Sequence, residues 1–250
     1  MTICGQNQHF QGLASKHSIA FAPSYSQREI WLLNIVTKHE KGIDMKGTNV
    51  GVVHIDVIEE SFFDEFVATV DQMEVGLDLK KMPKPGPFAC AEWFIPTTIA
   101  VFLGKPYFES FLKEVAKDHY EFLKKGISEL CDKTIKTRRF EPTLYSSAGK
   151  KNNDNPYTLS FSVIAETASG FTFKLLLPKL CDEFEYQKAT DAFLDFMADY
   201  YSAGELSQAY EIIKMNGRHR GQILVKYNQD TSKIEWQDDL PPKVRESMLK

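Results

Sequence analysis

The fold is decided by residues 157–177, Tyr-Thr-Leu-Ser-Phe-Ser-Val-Ile-Ala-Glu-Thr-Ala-Ser-Gly-Phe-Thr-Phe-Lys-Leu-Leu-Leu. Leu159, Phe161, Val163 and Ala165 fall on one face of the first run, with Ser160 and Ser162 opposite. Thr167–Gly170 has turn composition, and Phe171, Phe173, Leu175 and Leu177 then alternate again. Period two on both sides of a short polar turn predicts a β-hairpin.

Toward the C-terminus the period lengthens. Glu183–Met215 reads as a long helix with Ala189, Phe193, Phe196, Met197 and Tyr200 facing inward, a break near Gly204, and Gly217 as its terminator. Ile223–Tyr227 and Lys233–Trp236 form a second predicted hairpin, and 238–250 is a polar tail. Toward the N-terminus, Phe140–Ser146 is expected to add a third strand to the central hairpin. Pro106–Cys131 carries Phe108, Phe111, Leu112, Val115, Leu123 and Ile127 at helical spacing, with Pro106 in a first turn where its missing N–H costs nothing.

Phe88–Leu103 is apolar all round apart from Glu92. As a helix it would reach about 24 Å, short of the ~30 Å hydrocarbon layer of a bilayer. It is therefore read as a core helix kinked at Pro96 and paired with the following one, a hydrophobic helical hairpin over 88–131. Further upstream, Met82–Pro87 holds three prolines and a glycine and predicts a rigid connector. Ser61 is expected to cap a helix, with Asp64 completing a capping box. Val50–Ile58 reads as a strand with Val53, Ile55 and Val57 on its inner face, Gln27–His39 as a helix, Ser18–Ala22 as a short strand, and 1–17 as a flexible polar tail.

The resulting expectation is α+β: antiparallel meander and hairpin strands packed against long helices, in one domain over 18–237. The whole chain has 250 residues, 43% hydrophobic and 26% charged, which excludes a disordered or collagen-like chain. Its net charge of −4 supplies no global basic field for nucleic acid or an anionic membrane. Cys4, Cys90, Cys131 and Cys181 are scattered with no CxxC, so neither a zinc module nor a disulfide framework is expected. With no basic and apolar leader at the N-terminus, the expected compartment is the cytoplasm.

Motifs for phosphate cradling, dinucleotide binding, zinc proteolysis and nucleophilic serine hydrolysis do not occur. No metal and no cofactor are expected. His54 and Asp56, two apart on one strand, share a face, where a carboxylate could orient the imidazole as a base. The competing reading places them on the solvent-facing side of a half-buried strand. His119 beside Asp118, and Glu92 as an acid in an apolar segment, complete the catalytic candidates. Arg138 and Arg139 with Lys133 and Lys136, and Arg218 with Arg220, are candidate anion sites that equally serve to finish helices.

No single constellation names an activity, and the sequence leaves open whether the chain is an enzyme. The expected function is binding, as a component of an assembly with a protein partner. The alternatives are a membrane-acting effector working through Phe88–Leu103, and an enzyme whose site is gathered from distant residues. Nucleic acid is not an expected partner, and the sequence does not decide the oligomeric state.

Overall fold

The computed structural model describes residues 48–73, 75–83, 97–111, 117–142, 144–145, 151–152, 156–179, 183–216 and 221–237. The chain divides into two units, Met1–Ile43 and Asp44–Lys250, and all these residues belong to the second. The expectations for 1–17, 18–22, 27–39, 88–96, 218–220 and 238–250 lie outside the described residues.

The strands are β1 (Thr48–Ile55), β2 (Gly76–Met82), β3 (Ile99–Leu103), β4 (Leu144–Tyr145), β5 (Lys151–Asn152), β6 (Phe161–Glu166), β7 (Phe171–Leu176), β8 (Gly221–Asn228) and β9 (Lys233–Trp236). The helices are α1 (Asp64–Asp71), α2 (Lys105–Phe111), α3 (Lys117–Lys136), α4 (Glu183–Ala203) and α5 (Gln208–Asn216). Seven strands form one mixed sheet in the order β2-β1-β3-β6-β7-β8-β9, while β4 and β5 pair separately. The α+β class holds. The meander expectation does not, because within the seven-stranded sheet only β6–β7 and β8–β9 are antiparallel pairs of consecutive strands. The pairs β1–β2, β3–β6 and β7–β8 are parallel and need crossovers, which the helices supply.

The described helices share one face of the sheet. Register places Val50, Val52, Ile99, Val101, Phe161, Val163, Phe173 and Ile223 on that face. All of them join one core cluster with Phe63 and Phe66, Leu123 and Ile127, and Phe193 and Met197 from the helical layer. The opposite face carries Ser162, Lys174, Leu176 and Leu224, which are buried but stand outside that cluster. Direction and step then fix the crossovers. β1 and β7 run the same way, yet β1–β2 steps toward one edge and β7–β8 toward the other. With helices on a single face these two crossovers have opposite hand, so at least one departs from the usual right-handed rule.

The sequence reading of 88–103 is overturned where the structure describes it: Ile99–Leu103 is a strand. β3 lies between β1 and β6, and Ile99, Val101 and Leu103 are each 0% exposed. A strand apolar on both faces and a buried helix give the same unbroken apolar run, so periodicity could not separate them. Of the expected helical hairpin over 88–131, residues 99–103 are therefore not helical, 88–96 lie outside the described residues, and α2 and α3 fall in the second half. Pro106 sits in the first turn of α2, as its missing N–H requires.

Smaller corrections have equally local causes. The inner face of β1 is Val50, Val52 and His54 rather than Val53, Ile55 and Val57; the strand is apolar on both sides, and a shift of one inverts the assignment. The Ser61 capping box is not formed, because Glu60–Phe63 is a 3-10 turn and α1 starts after Phe63 with no side-chain cap. Phe140–Ser146 does not extend the central hairpin: Arg138–Phe140 is a 3-10 turn and Leu144–Tyr145 pairs with Lys151–Asn152. β2, Gly-Leu-Asp-Leu-Lys-Lys-Met, was not anticipated, since adjacent lysines are poor strand formers that suit a sheet edge. The break in the long C-terminal helix is where Gly204 predicts it. Gly204 has φ +54°, and the Ser207 hydroxyl accepts the Tyr210 N–H at 3.2 Å to start α5.

Candidate functional site

The C-terminal ends of β1 and β2 meet the N-terminal ends of β3 and β6. Ile55 N–H donates to Thr98 O at 3.1 Å, Thr98 N–H to Leu159 O at 2.8 Å, and Asp56 N–H to Met82 O at 2.8 Å. Buried His54, Thr97, Thr98, Thr158 and Ser160 collect at this end.

His54 is the last core-facing residue of β1 and is 0% exposed. Neither sequence reading of it survives: it is not on a solvent-facing side, and it has no carboxylate partner in Asp56. β1 ends at Ile55, so Asp56 falls in the following turn and is exposed. The imidazole Nδ1 is 2.9 Å from Ile55 O, which can only accept, so Nδ1 carries the proton. Nε2 is buried with no hydrogen-bond partner, and the ring lies 4.7 Å from that of Phe63. Burial is the main influence and holds its pKa below the usual 6.5. Lys81, directly across on β2, pushes the same way, while the Ile55 carbonyl and Glu60 oppose.

An aromatic run connects His54 to the second feature of this end. Phe63 packs edge-on to Phe62 at 5.3 Å, and Phe62 edge-on to Phe140 at 5.2 Å. Beside Phe140, Glu141 is a hydrogen-bond hub. Its carboxylate accepts from Thr158 Oγ1 at 2.5 Å, Ser160 Oγ at 2.7 Å and Leu159 N–H at 3.1 Å, with Lys179 Nζ at 3.8 Å. Thr98 Oγ1 donates to Phe140 O at 2.6 Å, and Thr97 and Ser162 hydroxyls are paired at 2.7 Å. These bonds fasten the Arg138–Phe140 turn to the starts of β3 and β6. A carboxylate with its lone pairs so filled is an anchor rather than a base. The sequence held no signal for Glu141, because its partners are separated from it by seventeen to nineteen residues.

The remaining candidates do not converge here. His119 is half-buried in the first turn of α3, whereas Phe140 follows the last; the fifteen residues from His119 to Thr134 place it about 22 Å up the helix. Glu92, Arg218 and Arg220 lie outside the described residues, as does the side chain of Arg138. Arg139 is exposed, with its guanidinium 5.3 Å from the Phe140 ring. Lys133 bridges α3 to α1, 3.1 Å from Glu65 and 4.9 Å over Phe62, and Lys136 is 2.6 Å from Asp132. Those two lysines occupy the last turn of α3, where cations complement the helix dipole.

A separate polar group ties α3 to α4. Tyr120 OH donates to Asp195 at 2.8 Å, and Lys124 reaches the same carboxylate oxygen at 2.7 Å. Asp191, one turn earlier on α4, has a buried Oδ1 with no partner, and burial raises its pKa against the pull of Lys124. Burial also raises the Tyr120 phenol well above its usual range, and Asp195 adds to it. Among the described residues no group of three His, Cys, Asp or Glu side chains is placed to hold a metal ion, and no helix is long and apolar enough to cross a membrane.

The described residues therefore form an α+β structure, a mixed seven-stranded sheet with the described helices on one face. No family model, curated protein or solved structure matches the chain.

Proposed function

We propose that the protein acts by binding, as a component of a larger assembly with a protein partner, in a reducing cytoplasmic setting. The supporting observation is how the strand-end polar groups are used. The Glu141 carboxylate is filled by donors from Thr158, Leu159 and Ser160, and His54 is closed into the core against Phe63. Both are spent on holding the chain together, the carboxylate at the starts of β3 and β6 and the imidazole at the end of β1. Cys131 is packed into the core, and the scattered cysteines of the sequence suit a reducing compartment.

The described residues bring the enzyme alternative no convergence: His119 sits in the first turn of α3, away from His54 at the end of β1, and Asp56 lies in an exposed turn. The membrane alternative would require β3 to leave the centre of the sheet. Removing Ile99, Val101 and Leu103 from the core would cost about 1.5–3 kcal/mol for each side chain. Leu206 (91%), Val57 (63%), Met215 (61%) and Phe122 (47%) are exposed large apolar side chains that a partner could cover.

The test is the mass of the full chain recovered from its native cell by a terminal tag under mild conditions, measured by size-exclusion with light scattering. A stoichiometric protein partner and a mass above 28.6 kDa are expected. A lone 28.6 kDa species at low and moderate salt would overturn the proposal.

A further inference from the structure

We propose that His54 is a proton-operated latch, holding the Glu60–Phe63 turn against the end of the sheet while neutral and releasing it when protonated. The geometry points to the turn because one carbonyl serves both. Ile55 O accepts from His54 Nδ1 at 2.9 Å and from Ile58 N–H at 3.1 Å, the bond that starts the chain reversal leading into the turn. Phe63, the one buried residue of the turn, covers the imidazole at 4.7 Å.

The neutral ring fits with one defect, a bare Nε2 sealed from water. A proton added there converts it into a charged donor with nothing to donate to. Among the described residues the charged groups facing it are two. Lys81 lies directly across on β2 and repels it. Glu60, at the head of the turn, attracts it but is already bonded to Lys81 at 2.8 Å. The neighbour across on β3 is Ile99, and the cover is Phe63, neither of which carries charge. The cation gains a partner only by swinging outward to water and Glu60, and Phe63 must lift for it to pass. Because burial depresses the folded-state value, the latch is fully closed above pH 6.5 and opens as the pH falls below it. Phe62, edge-on to Phe140, carries the movement to the turn that Glu141 anchors.

The experiment is hydrogen exchange on the full chain at pH 7.5 and 5.0, corrected for intrinsic rates, for the native sequence, His54→Asn and His54→Leu. The amides of Ile58, Phe62 and Asp64 should lose protection by about tenfold or more at the lower pH in the native chain. Amides of the β6–β7 hairpin should not change, and both variants should be flat across the range. Equal losses in the native chain and the variants would overturn the latch. Should both variants fail to fold, NMR titration of the native imidazole decides. Titration below 6.5 with a concerted shift of the Phe63 ring supports the latch; titration at or above 6.5, or without movement of Phe63, refutes it.

Discussion

Removing the Glu141 carboxylate should cost far more stability than its surface position suggests. Its side chain is 29% exposed, yet its acceptor capacity serves Thr158 and Ser160, which are 5% and 3% exposed, and the Leu159 amide. Hydrogen bonds to a charged group contribute about 1.5–3 kcal/mol each. The full sum over three donors is not expected, because both hydroxyls can rotate and water can reach the vacated space. The Leu159 N–H cannot rotate. Glu141→Ala is therefore expected to lose about 2–4 kcal/mol, and Glu141→Gln, which keeps one acceptor oxygen, about half of that. In urea, with a slope of about 2 kcal/mol/M, the alanine variant should unfold about 1–2 M earlier with the slope unchanged. Glu211→Gln, which touches only the exposed Lys214 at 3.5 Å, is the control and should shift stability by about 0.5 kcal/mol or less. A Glu141→Ala variant within about 0.5 kcal/mol of the parent would refute the hub.

Three further perturbations test other parts of the structure. Ile99→Asp places a charge at a fully buried position of a central strand, so loss of folding by circular dichroism is expected, and a variant melting within a few degrees of the parent would contradict β3. A Cβ on Gly126 would stand 3.1 Å from Thr69 Cγ2 and 3.4 Å from Phe66, so Gly126→Ala should forfeit its helix-propensity gain of about 1 kcal/mol; Thr69→Ser should restore it, and additive double-mutant energies would rule out the contact. Asp191 has its pKa raised from 3.8, so its ionisation weakens the fold as the pH climbs through the acid range. Asp191→Asn should raise the melting temperature at pH 7, with the gain disappearing toward pH 3.8; a lower melting temperature at pH 7 would place a missing partner on that carboxylate.

What was legible in the sequence was periodic and local. The β6–β7 and β8–β9 hairpins and the Gly204 break are each written in neighbouring residues, because a two-residue period or a left-handed glycine needs no distant partner. β3 was illegible for the opposite reason, since burial on both faces erases the period. His54 stands out for its chemistry, but its face is not legible, because Val50, Val52, Val53 and Ile55 leave the parity of β1 undetermined. Glu141 could not be found at all. Its role depends on Phe140 docking to Thr98, forty-two residues away, and on the strand starts of a sheet whose order is not sequential.

The strand-end cluster separates into a part the fold requires and a part it does not. Where β3 and β6 begin, backbone donors and buried hydroxyls need acceptors, and a carboxylate arriving from the Arg138–Phe140 turn supplies them; Glu141 is explained by the sheet alone. Position 54 carries no such requirement. Its face continues Val50 and Val52, its cover is Phe63, and an apolar side chain would leave no bare nitrogen. An unmade bond at a buried polar atom costs about 1–3 kcal/mol, so the imidazole sits there at the expense of stability. His54→Leu should therefore be at least as stable as the parent at pH 8 and clearly more stable at pH 5. If the variant instead proved less stable at both, the bond to Ile55 O would be the reason for the histidine, and its proton chemistry would be incidental.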